Sequence, residues 1–251
     1  MSTASFELLI YGMRSCLALW KARPESVVRA YCTQSKMPEC KDILRACAAQ
    51  KKAYHIVEPE ALEKVTGSVH HEGFALLARF PEPLSGEAFL QQMKKSPAKG
   101  PIIFADGVGN PHNLGAISRS MAHFGATYLI GQVGELPRLS ASWIRLSEGG
   151  TESLQLVAVE KKALFLQEMQ KMGWSIVGFS SHASESMYKT KLPEKVVMVL
   201  GHEVTGLSKP VEALLSKRLC IPGTAAVASL NVSVAAGIAL STWASQHGPT
   251  Q

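Results

Sequence analysis

Short apolar runs alternate with helical patterns through the second half of the chain, and this alternation constrains the fold more than any other feature. The apolar runs predict strands at residues 102–105, 127–130, 154–159, 175–179, 196–200 and 219–221. The patterns between them predict helices near residues 113–124, 160–172, 208–217 and 231–246. Such a succession predicts an α/β fold with a mostly parallel sheet, in which ligands bind beyond the carboxyl ends of the strands.

The first 80 residues predict a smaller unit of alternating strands and helices. Its strands are expected at residues 7–11, 27–33, 53–57 and 74–80, with helices at 13–22, 38–50 and 60–66. Prolines at positions 81 and 83 and a basic stretch ending at Gly100 mark a change of composition. We therefore predict a small α/β domain at residues 1–80, a linker at 81–100 and a second α/β domain at 101–251.

The composition bears on which partners the protein can bind and on where in the cell it is expected. The net charge of +6 favours a polyanionic partner such as RNA without establishing one. The five cysteines include no Cys-x-x-Cys pair and lack metal-ligand spacing, so we expect reduced, mostly buried thiols and no metal site. The longest apolar tract, around residues 232–244, is too short to span a bilayer. We expect a cytoplasmic protein with no membrane association.

A polar turn leads into the helix predicted at residues 113–124. Asn113 follows Asn110-Pro111-His112 and occupies the position expected of a helix N-cap. The apolar residues at 114, 117, 121 and 124 share one face of this helix, and Arg119 lies on the opposite face. Arg119 is therefore predicted to point away from the sheet, either into solvent or towards a ligand or partner subunit.

A second polar turn follows the strand predicted at residues 196–200. Gly201 comes directly after the strand, Glu203 two residues later, and Gly206 allows a further tight turn. Glycine lets the backbone approach a ligand, and a carboxylate beyond the strand end can accept hydrogen bonds from it. The same residues also suit an ordinary turn with a solvated glutamate. Their spacing matches neither a dinucleotide-binding nor a phosphate-loop motif.

A third segment joins the last predicted strand to the final helix. It runs from Ile221-Pro222-Gly223 through small residues to Ser229-Leu230-Asn231. Free backbone groups, a hydroxyl and a carboxamide thus meet at a helix N-terminus, which suits a small polar ligand. Ser229 or Asn231 could equally cap the helix, and Ile221 and Leu230 could either belong to the core or enclose a flat ligand.

Taken in order, the three segments resemble the motifs of the SpoU (TrmH) family, S-adenosylmethionine-dependent RNA 2′-O-ribose methyltransferases of the SPOUT superfamily. The resemblance covers residues 101–246 and is carried by Asn113 to Arg119, Gly201-x-Glu203-x-x-Gly206, and Ile221-Pro222 to Asn231. Residues 8–80, with Tyr11-Gly12 and His71-Glu72-Gly73, are similar to the L30e/L7Ae-like substrate-binding domain of many members.

The resemblance implies an α/β fold with a C-terminal trefoil knot, a homodimer, and action on a ribose 2′-hydroxyl of rRNA or tRNA. It also implies that S-adenosylmethionine is held by the residues Leu200, Gly201, Glu203, Ile221, Pro222, Ser229 and Leu230. The catalytic group it implies comprises Asn113, Arg119, Glu203, Ser229 and Asn231, with Arg119 acting on the target ribose. Alignment and the removal of one proton are sufficient for this chemistry, because the sulfonium donor is already strongly electrophilic.

The chain departs from the family pattern in the third segment. Gly223 stands where the family usually has methionine, and Ala225 stands where it usually has glycine. These differences bear on donor binding and motivate an alternative, a non-catalytic RNA-binding or ribosome-assembly factor with a methyltransferase fold. Donor-dependent methylation of a base is a further alternative. It is disfavoured because Ser229-Leu230-Asn231 with Arg119 resembles the ribose-modifying branch.

Overall fold

The computed structural model describes residues 5–96, 98, 100–224 and 226–248, and these divide into two compact units. One unit comprises the described residues up to Glu82 together with Leu139–Glu152. The other comprises the described residues of Pro83–Arg138 and those from Ser153 onward. Ala225, one of the two departures from the family pattern, lies outside the described residues.

The first unit is built on a four-stranded sheet. Its elements in chain order are β1 (Ser5–Tyr11), α1 (Met13–Ala22), β2 (Val27–Cys32), α2 (Met37–Ala49), β3 (Ala53–Ile56), α3 (Pro59–Thr66) and β4 (Phe74–Pro81), with 3₁₀ turns at Pro24–Ser26 and Gln34–Lys36. The strand order is β1-β4-β2-β3, with β4 antiparallel to both neighbours and β3 parallel to β2. The four strands and three helices predicted for this region are therefore present.

The second unit is built on an eight-stranded sheet. The elements that follow β4 are β5 (Leu84–Ser85), α4 (Gly86–Lys95), β6 (Ile102–Asp106), α5 (Pro111–Phe124), β7 (Tyr128–Gln132), α6 (Ala141–Ser147), β8 (Gln155–Val159), α7 (Lys162–Lys171), β9 (Ser175–Phe179), β10 (Glu185–Ser186), β11 (Val196–Gly201), α8 (Lys209–Glu212), β12 (Lys217–Cys220) and α9 (Val232–His247), with 3₁₀ turns at Gly150–Ser153 and Met187–Lys189. The strand order is β10-β12-β9-β11-β6-β7-β8-β5, and all pairs are parallel. The predicted parallel sheet is confirmed.

The helix α6 packs in the first unit although it lies between β7 and β8 in the sequence. Its Ile144 is fully buried in the first unit's core, and the Ser15 hydroxyl donates a hydrogen bond of 2.9 Å to the Ile144 carbonyl oxygen. The ion pair between Arg23 and Glu152, at 2.6 Å, joins the following turn to the same unit. These residues were predicted to lie in the second domain, because a boundary drawn along the chain cannot show a later segment returning to an earlier one.

Residues 84–95 belong to the second unit, which corrects the predicted linker at 81–100 for this segment. β5 pairs with β8, and Phe89 and Met93 of α4 are buried in the core of the unit. The hydroxyl of Ser85 caps α4 by accepting a hydrogen bond of 3.2 Å from the Ala88 backbone N–H. The prolines that suggested a linker end one strand and precede the next.

The helix predicted at residues 208–217 is much shorter than expected, because α8 spans only Lys209–Glu212. Leu214 and Leu215 pack against the core from an irregular segment, so their apolar character resembles a helical face without forming one. The backbone N–H of Ser216 then donates to the Ile176 carbonyl oxygen at 2.7 Å, at the entry to β12.

Two features of the second unit place its polar turns together. β6 and β11 are adjacent and parallel, with Asp106 opposite Gly201, so the chain leaves both strands at the same edge of the sheet. The helices α5 and α9 pack against each other, and Gly237 of α9 leaves room for the Ser120 hydroxyl of α5. Among the described residues, no helix is both long and apolar enough to cross a membrane.

Candidate active site

The helix that carries Asn113 and Arg119 begins earlier than predicted. α5 starts at Pro111, and its N-cap is Asn110, whose side chain accepts a hydrogen bond of 2.9 Å from the His112 backbone N–H. Proline suits the first helical position because a backbone N–H, which proline lacks, would have no partner within the helix there. The prediction that Asn113 caps the helix is therefore wrong. Asn113 lies in the first turn, where its carboxamide is available for contacts outside the helix.

Asn113 joins the three polar segments through hydrogen bonds at both ends of its carboxamide. Its Nδ2 donates to Glu203 Oε1 at 2.7 Å, and its Oδ1 accepts from Asn231 Nδ2 at 3.0 Å. The partners are 90 and 118 positions away in the sequence, and Asn113 itself is only 9% exposed. This hydrogen-bonded chain, Asn231–Asn113–Glu203, takes one residue from each predicted motif.

The turn that presents Glu203 is closed by its own backbone. His202 and Gly206 exchange two backbone hydrogen bonds of 3.0 and 2.9 Å, and His202 Nδ1 accepts from the Val204 backbone N–H at 3.0 Å. A Cβ at Gly201 would lie 2.6 Å from the Gly206 carbonyl carbon, so only glycine allows the chain to double back this closely. Glu203 therefore projects from a tight turn, with its side chain held by Asn113.

The segment after β12 is open in comparison. From Pro222 to Asn231 its described residues are exposed, while Ile221 is partly buried. Leu230 is 44% exposed and so does not belong to the core. Asn231 caps α9, since its Oδ1 accepts from the Ser233 backbone N–H at 2.8 Å. Of the two predicted caps, the structure thus selects Asn231 over Ser229, whose hydroxyl makes no hydrogen bond within the described part of the chain.

The remaining predicted site residues lie on the same elements. Arg119 is exposed on α5, opposite the buried Leu114, Ile117 and Met121, as the periodicity predicted. Leu200 is 2% exposed, so its side chain belongs to the core beneath the turn rather than to a ligand surface. Hydrogen bonds bring together Asn113, Glu203 and Asn231. Ser229, Ile221 and Pro222 lie in the open segment that ends at Asn231.

A charge network around the buried Asp106 lies beside the site and was not predicted from the sequence. Asp106, whose side chain is 1% exposed, accepts hydrogen bonds from Lys162 Nζ at 2.7 Å, the Ser208 backbone N–H at 2.6 Å and the Ser208 hydroxyl at 3.0 Å. Lys162 also binds both carboxylate oxygens of Glu135, at 2.8 and 2.9 Å. An acidic residue at the end of a buried strand was the available signal, but its partners are distant in sequence.

The charges around Lys162 act on its pKa in opposite directions. Burial acts to lower the pKa, but hydrogen bonds and charges of Asp106 and Glu135 outweigh it and raise the pKa of Lys162 above its ordinary value. Lys162 therefore stays protonated and keeps the buried carboxylate paired. Within the described part of the chain, no cluster of His, Cys, Asp or Glu side chains could hold a metal ion.

Two family models match this chain. The model of the SpoU rRNA Methylase family matches residues 100–241, which is more than half of the chain. A second model, described as RNA 2′-O ribose methyltransferase substrate binding, matches residues 9–84. The first match contains the three motifs and the hydrogen-bonded chain that joins them.

Individual relatives agree with the family models. An uncharacterized tRNA/rRNA methyltransferase, YfiF from Escherichia coli O157:H7, is 37% identical over 96% of this chain, which spans 69% of that relative. The 23S rRNA (guanosine-2′-O-)-methyltransferase RlmB from Pseudomonas putida is 28% identical, with coverage of 92% of this chain and 93% of the relative. The solved structure of the SpoU methyltransferase AviRb from Streptomyces viridochromogenes, in complex with AdoMet, has a TM-score of 0.77 at 19% identity. The match covers 96% of this chain and 90% of AviRb, and it supports the fold. The chain therefore belongs to the SpoU rRNA methylase family and is an RNA methyltransferase.

Proposed function

We propose that this SpoU-family methyltransferase transfers the methyl group of S-adenosylmethionine to a ribose 2′-hydroxyl of rRNA or tRNA. The observation that carries the proposal is the hydrogen-bonded chain Asn231–Asn113–Glu203, because it joins the three family motifs at the carboxyl edge of a parallel sheet. The 2′-hydroxyl as acceptor is supported by the relative RlmB, whose name specifies guanosine 2′-O methylation of 23S rRNA.

The open segment after β12 has the properties that a donor of this kind requires. Among its described residues from Ile221 to Leu230, no backbone group takes part in a backbone–backbone hydrogen bond. The Ala226 N–H donates to the Thr224 hydroxyl at 3.4 Å, and the other backbone groups can serve a ligand. Partly buried Ile221 and exposed Leu230 offer apolar surface for a flat ring. A Cβ at Gly223 would meet nothing within 4 Å, so the segment is also roomy at its family-atypical position.

We assign donor binding to Ile221, Pro222, Ser229 and Leu230 in this segment, with Leu200-Gly201 and Glu203 from the turn after β11. Leu200 would contribute through its backbone, because its side chain is buried. When bound, S-adenosylmethionine supplies an electrophilic methyl group on a sulfonium sulfur. AviRb, which shares the fold, was solved with this donor.

The catalytic roles follow from charge and position. Asn113 holds the Glu203 carboxylate in one orientation, and Asn231 holds Asn113, so both are positioned before substrate arrives. Arg119 carries a permanent, exposed positive charge that can bind a phosphate of the target RNA. A guanidinium is protonated and has no acceptor lone pair for the hydroxyl proton, so we assign proton removal to the phosphate that Arg119 binds. Ser229 lies two residues before Asn231 in the sequence and completes the polar set.

The proposal includes a cytoplasmic homodimer with a trefoil knot in its second unit. Apolar side chains are exposed on the segments that carry the site, with Val204, Val227 and Val234 exposed by 87, 66 and 49%. Exposed apolar groups of this kind favour a protein partner, and a second copy of the chain is the partner that the family resemblance implies. Light scattering on the purified protein should give twice the mass of the chain, and a monomer at micromolar concentration would contradict this part.

The test of the proposed activity uses purified protein, labelled S-adenosylmethionine and total RNA from cells that lack this chain. After nuclease digestion, nucleoside mass spectrometry should show a 2′-O-methylated nucleoside from rRNA or tRNA. Arg119→Ala should lower the rate by about 10²-fold or more, because it removes the charge that organises proton removal. Lys171→Ala, which removes an exposed lysine of α7 paired with Glu168, should retain the wild-type rate.

The other outcomes identify the alternatives. Donor binding by calorimetry without any methylated nucleoside, or no donor binding at all, would favour a non-catalytic RNA-binding or assembly factor. A methylated base in place of a methylated ribose would favour the base-modifying alternative. Either result would overturn the proposed reaction.

A further inference from the structure

The charge network of Asp106, Lys162 and Glu135, whose side chains are 1, 14 and 31% exposed, has no part in the proposed reaction. Its members come from the end of β6, the start of α7 and the turn after β7. The network adjoins the turn Gly201–Ser208, which carries Glu203, through the two hydrogen bonds that Ser208 donates to Asp106.

Stability alone gives little reason to keep such a network. Removing charges from water is costly, and apolar side chains of similar volume often stabilise a core as well or better than a buried ion pair. The observed partners compensate the burial, since Asp106 accepts three hydrogen bonds and Lys162 contacts three carboxylate oxygens. A buried ionic group can instead select one local conformation of the chain, and the contacts of Asp106 show that this is the conformation of the turn Gly201–Ser208.

Asp106 is in contact with both ends of the turn. Its backbone lies opposite Gly201 in the β6–β11 ladder, where the turn begins. Its carboxylate binds the backbone N–H and hydroxyl of Ser208, where the turn ends. Between these points the chain reverses through the His202–Gly206 hydrogen bonds and presents Glu203 to Asn113. The next residue, Gly107, lies against His202, where a Cβ would be 3.4 Å from the His202 Cβ.

We propose that Asp106 is a positioning residue for methyl transfer, acting through Ser208 and the turn on Glu203, and that Lys162, itself held by Glu135, keeps the Asp106 carboxylate aimed at Ser208. Asp106 is also the last residue of β6, and the chain runs from it to Asn113. Both partners of the Asn113–Glu203 hydrogen bond are therefore connected to the same buried residue. The kinetic part of this inference rests on the proposed function, whereas its structural part does not.

The first test is the Asp106→Asn variant, which keeps the side-chain volume and one oxygen for the Ser208 N–H but removes the charge that pairs with Lys162. Its kcat for RNA methylation should fall by roughly 10- to 100-fold, because small misplacements of a catalytic group are costly. The KM for RNA should stay within about 2-fold of wild type, since Asp106 does not touch the RNA. The KM for S-adenosylmethionine should rise, because Gly201 and Glu203 of the displaced turn belong to the proposed donor site. Ser208→Ala, which keeps the backbone contact and loses the hydroxyl contact, should show a smaller loss of kcat.

A matched control distinguishes positioning from general stability. Arg23 and Glu152 form another ion pair that is largely buried, with side chains 20 and 8% exposed, in the first unit. Glu152→Gln, which like Asp106→Asn replaces a buried carboxylate by an amide, should lower the thermal midpoint of unfolding but leave kcat unchanged. If Asp106→Asn lowers the midpoint to the same extent and also leaves kcat unchanged, the positioning role is overturned.

Amide hydrogen exchange tests the structural part even if the protein transfers no methyl group. In Asp106→Asn, the backbone N–H groups of Val204 and Gly206 should exchange at least about 10-fold faster, because their hydrogen bonds close the turn that Asp106 holds. They should exchange at the wild-type rate in Glu152→Gln. Unchanged exchange in Asp106→Asn would overturn the inference. A wild-type protein without methyl transfer would overturn only the proposed function.

Discussion

The turn Gly201–Ser208 and the segment Ile221–Leu230 both leave the carboxyl edge of the same parallel sheet, yet they are held in opposite ways. The turn is closed by backbone hydrogen bonds of 3.0 and 2.9 Å between His202 and Gly206 and is anchored on Asp106. The segment has no backbone–backbone hydrogen bonds among its described residues, and it leads to Asn231, which caps α9 and binds Asn113.

The difference corresponds to two chemical tasks. A carboxylate that must be in place before the reaction benefits from a turn that is organised without ligand, because no ordering cost is then incurred on binding. A segment that binds a donor through its backbone must instead leave those groups unsatisfied and pay an ordering cost when the ligand arrives. Asn113 connects the two regions, so the predictions below act on that connection and on each side of it.

The largest effect is expected from Asn113→Ala, which breaks the connection itself. It removes a carboxamide that is 9% exposed and breaks its hydrogen bonds to the exposed Glu203 and Asn231. We expect methyl transfer to fall by about 10²-fold and the free energy of unfolding to fall by about 1–3 kcal/mol. Asn110→Ser, which retains a helix-capping side chain, is the control and should change neither. Wild-type turnover in Asn113→Ala would show that the connection has no catalytic role.

Paired glycine substitutions compare the two regions directly. A Cβ at Gly201 would lie 2.6 to 2.8 Å from backbone atoms of Gly206 and Leu207, whereas a Cβ at Gly223 would meet nothing within 4 Å. Gly201→Ala should therefore lower the free energy of unfolding by about 2 kcal/mol or more. Gly223→Ala should change it by less than about 0.5 kcal/mol. Chemical denaturation measures both values, and equal losses would mean that the segment is as tightly packed as the turn.

A smaller effect is expected from Asn231→Asp, which keeps the cap of α9 but removes the hydrogen bond from Asn231 to Asn113. The new carboxylate can still accept from the Ser233 N–H, so the helix cap is retained. The second oxygen of the new carboxylate would face Asn113 Oδ1, and two acceptors cannot form a hydrogen bond. If the Asn113 amide rotated to offer its Nδ2 instead, Asn113 Oδ1 would face the Glu203 carboxylate and the Glu203 hydrogen bond would be lost. We expect about a 10-fold loss of turnover. The loss of stability should be smaller than in Asn231→Ala, which also forfeits about 0.5–2 kcal/mol of capping. The reverse order of stabilities would argue against capping by Asn231.

The smallest effect concerns thiol labelling beside the open segment. Cys220 is partly exposed and directly precedes Ile221, while the other four cysteines are free and buried in the first unit. Burial raises the pKa of the thiols of Cys16, Cys32, Cys40 and Cys47, so little reactive thiolate forms there.

Iodoacetamide at pH 8 should therefore modify Cys220 first in the native protein, as mass spectrometry of peptides can show. Bound S-adenosylmethionine should slow this reaction several-fold by ordering the segment that begins at Ile221. Labelling at an unchanged rate with saturating donor would place the donor elsewhere. Equal labelling of all five thiols would contradict the burial of the four in the first unit.

Much of the fold could be predicted because its strands are encoded locally. The apolar runs at 102–105, 175–179 and 196–200 correspond to β6, β9 and β11 with boundaries within one residue. Predictions failed where a local pattern had a distant cause. Leu214 and Leu215 are apolar because they cover the core from an irregular segment, and α4 lies in a stretch that its flanking prolines made resemble a linker.

The site was predictable in its members but not in its contacts. Motif spacing selected Asn113, Glu203 and Asn231, yet placed Asn113 at the helix cap, because residues 110 and 113 are both asparagines and the sequence does not show which one begins the helix. Lys162, Glu135 and Ser208 were not selected at all. Each is an ordinary polar residue in its own segment. Lys162 and Ser208 join the network by binding the buried Asp106, and Glu135 joins it by binding Lys162.

The sequence by itself determined the parallel α/β class, the family and the polar residues of its motifs, because strand periodicity and motif spacing are properties of short stretches of chain. Only the tertiary structure decided that Asn113 links Glu203 to Asn231, that α6 returns to the first unit, and that Asp106 anchors the turn beside the site. These contacts join residues about 90 to 130 positions apart. Their partners are selected by strand adjacency and packing, which no local pattern records.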